Sequence, residues 1–148
     1  MNYYKIKNVD VDAGQGCRVS LFISGNDTYM PFDYGEKFTA ETSSKILDLL
    51  KPMYIRGLSI VGGEPLHREN IQDVIQLLSV VSTWYPSKDI WLTTSYTWKE
   101  ICKLDCFEDL LYIVDVIVEK HDDTQRLIDV TATRLNNNKV VEWVSEYN

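Results

Sequence analysis

Four short apolar runs separated by stretches of helical periodicity constrain this chain more than any other feature. The runs cover residues 19–24, 57–61, 89–94 and 113–118, and they are rich in β-branched side chains. Between the first two, Ile46, Leu47, Leu49 and Leu50 fall at helical spacing before Pro52, and Thr42 or Ser43 stands where a cap belongs. Between the next two, Ile71, Val74, Ile75, Leu78 and Val81 recur at three and four across residues 70–84, and Pro86 ends the run. Residues 98–111 also read as helical, with a break near Asp105. Strands alternating with helices specify an α/β fold with a mostly parallel sheet covered by helices, here an open partial (β/α) barrel. Beyond it, residues 125–130 and 140–144 are strand-like, with Asn136, Asn137 and Asn138 as a turn between them. A C-terminal hairpin or added edge strands are expected. With 45% hydrophobic residues, a chain of 148 fits a single domain, residues 1–148.

Parallel sheets place their sites just beyond the carboxyl ends of the strands. That rule selects residues 25–33, 62–65, 94–96 and 119–123, all expected on one rim. The expected core is Val19, Leu21, Ile23, Leu58, Ile60, Ile90, Leu92, Val114, Val116 and Val118.

Charge excludes some functions. Fifteen basic residues stand against 22 acidic ones, a net charge of -7, which argues against a broad phosphate-binding surface and hence against nucleic acid as a partner. No run is long and apolar enough to span a membrane, and the polar start, with Tyr3, Tyr4, Lys5 and Lys7, does not read as a signal peptide. A cytoplasmic location is expected. Three separated cysteines, Cys17, Cys102 and Cys106, specify neither a disulfide framework nor a four-cysteine metal site.

Two segments carry a family resemblance. Ser24-Gly25-Asn26-Asp27-Thr28-Tyr29-Met30-Pro31-Phe32-Asp33 follows the first strand, and Gly62-Gly63-Glu64-Pro65 follows the second. Together with Gly14-Gln15-Gly16-Cys17-Arg18, the third-strand run 90–96, and the closing Gln125-Arg126-Leu127-Ile128-Asp129-Val130, they resemble the activating proteins of anaerobic ribonucleotide reductases, a small branch of the radical S-adenosylmethionine (SAM) superfamily. The resemblance covers nearly the whole chain and implies the small radical-SAM type of fold. In that family the first loop carries C-x-x-x-C-x-x-C, which holds a [4Fe–4S] cluster. The aligned positions here are Asn26, Met30 and Asp33. The loop after the fourth strand also departs: Glu119-Lys120 replaces Asp-Gly, and the segment is shortened.

Cluster iron needs soft anionic thiolates. Asn26 is a poor ligand, Met30 a neutral thioether and Asp33 a hard carboxylate. Cys17 belongs at the opposite end of the sheet. Cys102 and Cys106 fall on one helical face, where packing suits them better than ligation. Asp27, Asp33, His121, Asp122 and Asp123 are a weak alternative set for a divalent ion. Arg18 fits equally a contact to a carboxylate or phosphate or a surface ion pair. The resemblance assigns SAM binding to Gly62, Gly63, Glu64 and Pro65, with Thr94 and Tyr96 beside them; Tyr96 suits stacking on a planar ligand or plugging the site. Tyr29, Phe32, His67 and His121 are further rim candidates.

On the residues alone, the expectation is a degenerate, cluster-less relative with no catalytic residue and no cofactor of its own. It would act as a noncatalytic protein-binding or regulatory module, with a glycyl-radical ribonucleotide reductase as its possible partner. The [4Fe–4S] cluster and SAM belong to the ancestor on this reading. Two other readings stay open: an altered or designed form of an active activating enzyme that cleaves SAM to generate a glycyl radical, and an enzyme binding SAM, a nucleotide or another small molecule.

Overall fold

The computed structural model describes residues 1–121, 124–130 and 141–146. The elements are β1 (Asn2–Asp10), β2 (Cys17–Ile23), β3 (Glu36–Lys37), α1 (Ala40–Leu49), β4 (Ile55–Gly62), α2 (Ile71–Trp84), β5 (Asp89–Thr94), α3 (Trp98–Cys102), α4 (Phe107–Ile113), β6 (Val116–His121), β7 (Thr124–Asp129) and β8 (Val141–Glu146). They form one open sheet in the order β3-β1-β2-β4-β5-β6-β7-β8. The four strands read as a parallel set, β2, β4, β5 and β6, lie side by side and parallel. Antiparallel strands extend both edges, and β7 with β8 is the expected C-terminal pair. The turn assigned to Asn136–Asn138 lies outside the described residues.

Strand pleating explains the core. Val19, Leu21 and Ile23 alternate on β2, Leu58 and Ile60 on β4, and Ile90 and Leu92 on β5, so all face one side. There they pack in one buried cluster with Ile46 and Leu50, with Val74, Leu77, Leu78 and Val81 of α2, and with Ile101 and Leu110. The expected core is met apart from Val116, which is half-buried against a smaller cluster of Trp91, Val118 and Leu127.

Several local expectations need correction. Thr39, not Thr42 or Ser43, caps α1; the Thr42 hydroxyl accepts the Thr39 N–H at 3.1 Å from inside the first turn. The break expected near Asp105 in residues 98–111 is present, dividing this stretch into two short helices, and Thr97 and Glu100 start the first with a reciprocal capping box. Ile113 ends α4 and the buried Val114 caps it, so the fourth parallel strand begins at Val116. β1 and β3 were not anticipated. β1 lies at the sheet margin, where two Lys and two tyrosines at uneven spacing give no clean alternation.

The opposite face of the sheet is polar at its base and holds Arg18. This side chain is fully buried. Its Nε donates to Ser59 Oγ at 2.6 Å, Nη1 to Gln15 O at 3.0 Å, and Nη2 to Leu58 O at 3.1 Å and Asp89 O at 3.2 Å. Nη1 pairs with Asp89 Oδ1 at 2.6 Å, and the guanidinium lies 5.4 Å from the Trp91 ring centroid. Burial pushes its pKa down, and Asp89 opposes that push. The ion-pair reading of Arg18 therefore holds with one correction: the pair is buried rather than at the surface, and the side chain ties together the starts of β2, β4 and β5. Breaking a buried, multiply bonded pair from one side costs about 3–5 kcal/mol. Arg18→Ala is expected to lower the free energy of unfolding by about that amount, read by circular dichroism as a lower urea midpoint at an unchanged slope.

Candidate functional site

The parallel strands end at Ile23, Gly62, Thr94 and His121, so the segments that follow them share one edge, as the strand-end rule expects. Glu64 organises this edge. Its carboxylate is buried and accepts four hydrogen bonds. Oε1 takes Ser95 N at 2.8 Å and Ser95 Oγ at 2.7 Å; Oε2 takes Thr94 Oγ1 at 2.8 Å and Leu66 N at 3.0 Å. That fills the roughly four acceptor positions of a carboxylate. The backbone of the same turn is tied to β2: Gly63 N donates to Ile23 O and Glu64 N to Gly25 O, both at 2.8 Å. Buried Asn70, at the start of α2, donates from Nδ2 to Ser24 O and Glu64 O, both at 3.0 Å. The turn is thus fastened to the ends of β2 and β5 at once.

The loop after β2 is folded on itself. Asn26 Oδ1 accepts the backbone N–H of Thr28 at 3.1 Å, Tyr29 at 2.9 Å and Met30 at 3.0 Å, while Asn26 N donates to Met30 O at 2.9 Å. Phe32 lies against Gly25, whose φ is +100°, and a Cβ there would run into the Phe32 ring. The same ring meets the His67 imidazole at 4.4 Å between centroids. His67 Nδ1 accepts Glu69 N at 3.1 Å, which leaves the proton on Nε2, 3.2 Å from Asp27 Oδ1. Asp27, Phe32 and His67 therefore close the loop against the Gly-Gly-Glu-Pro turn. Met30 is half-buried; Tyr29 and Asp33 are exposed.

On the far side of the edge, Tyr96 is half-buried, and its N–H donates to Thr94 Oγ1 at 3.0 Å. Burial, then the charges of Glu64, Asp27 and Glu100, push its phenol pKa up. Glu119 is buried, accepting Trp98 N at 3.3 Å and lying 2.9 Å from His121 Nε2 and 3.8 Å from Arg126 Nη1. His121 thus serves Glu119, which anchors α3 to β6. The strand-end rule placed Ser95 on the rim; sequence reasoning missed its bonds to Glu64, the part played by Asn70 and the anchoring role of Glu119.

The described members of the divalent-ion set do not come together, with Asp27 paired to His67 and His121 to Glu119; Asp122 and Asp123 lie outside the described residues. Among the described residues no three His, Cys, Asp or Glu side chains come together. Cys17 begins β2, at the far end from the rim. Cys102 and Cys106 do not share a helix face as expected; one ends α3, the other caps α4. Burial raises the pKa of both thiols.

The model of the family described as "4Fe-4S single cluster domain" matches residues 12–142. Relatives named anaerobic ribonucleoside-triphosphate reductase-activating protein align over most of both chains. The one from Enterobacteria phage T4 is 35% identical, over 86% of this chain and 87% of its own. That from Vibrio cholerae is 39% identical, over 80% and 83%. That from Pasteurella multocida is 28% identical, over 99% and 100%. The chain belongs to this family. The last alignment spans 159 positions, more than the 148 residues present, so this chain carries deletions relative to that relative. The short β6–β7 connection, with His121 opposite Thr124, agrees with a shortened loop there.

These matches correct the expectation of a degenerate, noncatalytic module. An iron–sulfur domain model covers nearly the whole chain, and the relatives are named activating proteins along nearly their whole length. Physically, the scaffold of the site is intact: four strand ends, the fastened Gly-Gly-Glu-Pro turn and the closed first loop are all in place. The findings favour the activating-enzyme reading that stood as an alternative. What differs is the donor set. An amide oxygen turned into its own loop, a thioether and an exposed carboxylate at positions 26, 30 and 33 do not fit a [4Fe–4S] cluster.

The Asn26 carbonyl is what holds the loop's three N–H groups. Asn26→Ala leaves them unpaired and is expected to open the loop, seen as faster proteolytic cutting between residues 26 and 34. Asn26→Asp keeps the acceptor and is expected to cut at the parent rate. Equal cutting of all three proteins would contradict this account.

Proposed function

We propose that this chain is an activating protein for an anaerobic ribonucleoside-triphosphate reductase. The observation that carries the reading is the alignment with relatives of that name over 80% or more of this chain and of theirs. The partner on this reading is the reductase, and the change made in it is formation of a glycyl radical: one electron from an external reductant cleaves SAM to methionine and a 5′-deoxyadenosyl radical, which takes the glycine hydrogen atom and leaves as 5′-deoxyadenosine. SAM is the small molecule proposed for the rim, beside Gly62, Gly63, Glu64, Pro65, Thr94 and Tyr96. Glu64, with its acceptor positions filled, shapes the site; the more exposed Gly62 and Gly63 offer backbone to a ligand. Tyr29, Phe32, His67 and His121 border the same edge. The proposal assigns no step to an iron–sulfur group on this chain, because the donors at 26, 30 and 33 do not fit one. Among the described residues no helix is long and apolar enough to cross a membrane.

The test mixes the chain anaerobically with the reductase of phage T4, SAM and a reductant, and follows the reductase by electron paramagnetic resonance. The reading expects a glycyl-radical signal that requires this chain, together with co-elution of the two proteins. A complex without the signal contradicts the activating role. Neither complex nor signal contradicts the reading altogether.

A further inference from the structure

The margin of the sheet beside β1 is unfinished. β3 pairs with β1 only at Asn2 with Lys37 and Tyr3 with Glu36. From Tyr4 to Asp10 no strand among the described residues lies on that side. An unpaired strand edge offers backbone N–H and C=O groups to an incoming strand. At this place a groove of about 410 Å³ opens, lined by Tyr4, Lys5, Ile6, Tyr34, Glu36 and Lys45 among others. Gly35 makes the end of the groove possible. Its φ is +82°, and any Cβ there would run into the Tyr3 carbonyl, so only glycine lets the 34–36 segment come this close to β1.

The side chains of the groove have a definite chemistry. Tyr4 is the extra residue of a bulge, since Tyr3 faces Ile23 and Lys5 faces Phe22. Its ring sits 5.8 Å from Phe22 and 5.7 Å from Tyr34, and both tyrosines are exposed, 37% and 54%. Lys5 Nζ lies 5.4 Å from the Phe22 ring centroid. Among the described residues no carboxylate lies within ion-pair distance of Lys5 or Lys45. Two ammonium groups with no ion-pair partner stand beside an aromatic floor, and the groove's carboxylate, Glu36, is engaged by the Tyr3 hydroxyl at 3.0 Å; against a chain of net charge -7, this local excess of positive charge is where an anionic guest fits. A second copy of this chain suits the edge poorly, because it would bring Lys5 and Lys7 against the same lysines, and bulges interrupt the ladder.

We propose that the free edge of β1 takes an extended, carboxylate-bearing segment of the reductase as an added strand, with Tyr4 and Tyr34 beneath it and Lys5 and Lys45 pairing its acids. This rests on the reading of the chain as a reductase-activating protein. The place of the edge supports it: Tyr34 closes the same loop that forms the rim, so a segment held here is held beside the site.

The test is hydrogen–deuterium exchange of the chain alone and in complex with the phage T4 reductase, paired with titration of a Lys5→Glu, Lys45→Glu variant. The proposal expects amides 4–9 to slow at least tenfold in the complex. It expects the variant to bind at least tenfold more weakly while its melting temperature stays at the parent value. A complex that leaves amides 4–9 unchanged, or a variant that binds as tightly as the parent, overturns this proposal alone. Protection of the edge that grows with the chain's own concentration, without reductase, overturns it in favour of self-association. Absence of any complex overturns both this proposal and the functional reading it rests on.

Discussion

A single buried carboxylate holds the working end of this protein together. Glu64 accepts four hydrogen bonds from Leu66, Thr94 and Ser95, and its own backbone is tied to Gly25. Taking a carboxylate out of water is unfavourable unless its acceptor positions are satisfied, and here they are. The consequence is geometric. Because the donors to this carboxylate come from the loop after β4 and from the end of β5 and the residue just past it, and the backbone ties reach β2, three strand ends are fixed relative to one another before any ligand arrives. Asn70 adds the start of α2 to the same junction. Arg18 performs the matching task at the base of the sheet, joining β2, β4 and β5 from below.

The first loop is held in shape by its own side chains. A loop that wraps a group needs its N–H donors satisfied, and the Asn26 side-chain oxygen satisfies three of them. Phe32 then covers Gly25 and stacks on His67, and His67 is oriented by Glu69 and Asp27. The loop is consequently ordered by its own chain. Family membership and the donor set at positions 26, 30 and 33 point in different directions. The first speaks to the whole chain and its partner, the second only to what these three side chains can hold.

Much of this was legible in the residues. The parallel order of β2, β4, β5 and β6 followed from alternating periodicities, because buried parallel strands and amphipathic helices leave strong patterns. The rim followed from strand direction alone, and Gly62-Gly63-Glu64-Pro65 was found where the rule put it. β1 was not legible: a marginal strand needs only one buried face and here carries a bulge at Tyr4 that breaks the alternation. The roles of Ser95, Asn70 and Glu119 were hidden for another reason. Each acts through a partner 21 to 46 residues away, and a single sequence does not reveal such pairs. Reading function from three missing thiolates also weighed one loop above the whole chain, 99% of which aligns with the relative from Pasteurella multocida.

The central claim is that the rim is held by the chain's own hydrogen bonds. Amide exchange of the isolated protein, read residue by residue by nuclear magnetic resonance without SAM or reductase, tests it most directly. The account predicts that Gly63, Glu64, Leu66 and Ser95 exchange about a hundredfold or more slowly than unstructured peptide, because each N–H is bonded within the junction. Rapid exchange at these four amides, slowed only when SAM is added, would show that a ligand and not Glu64 assembles the rim.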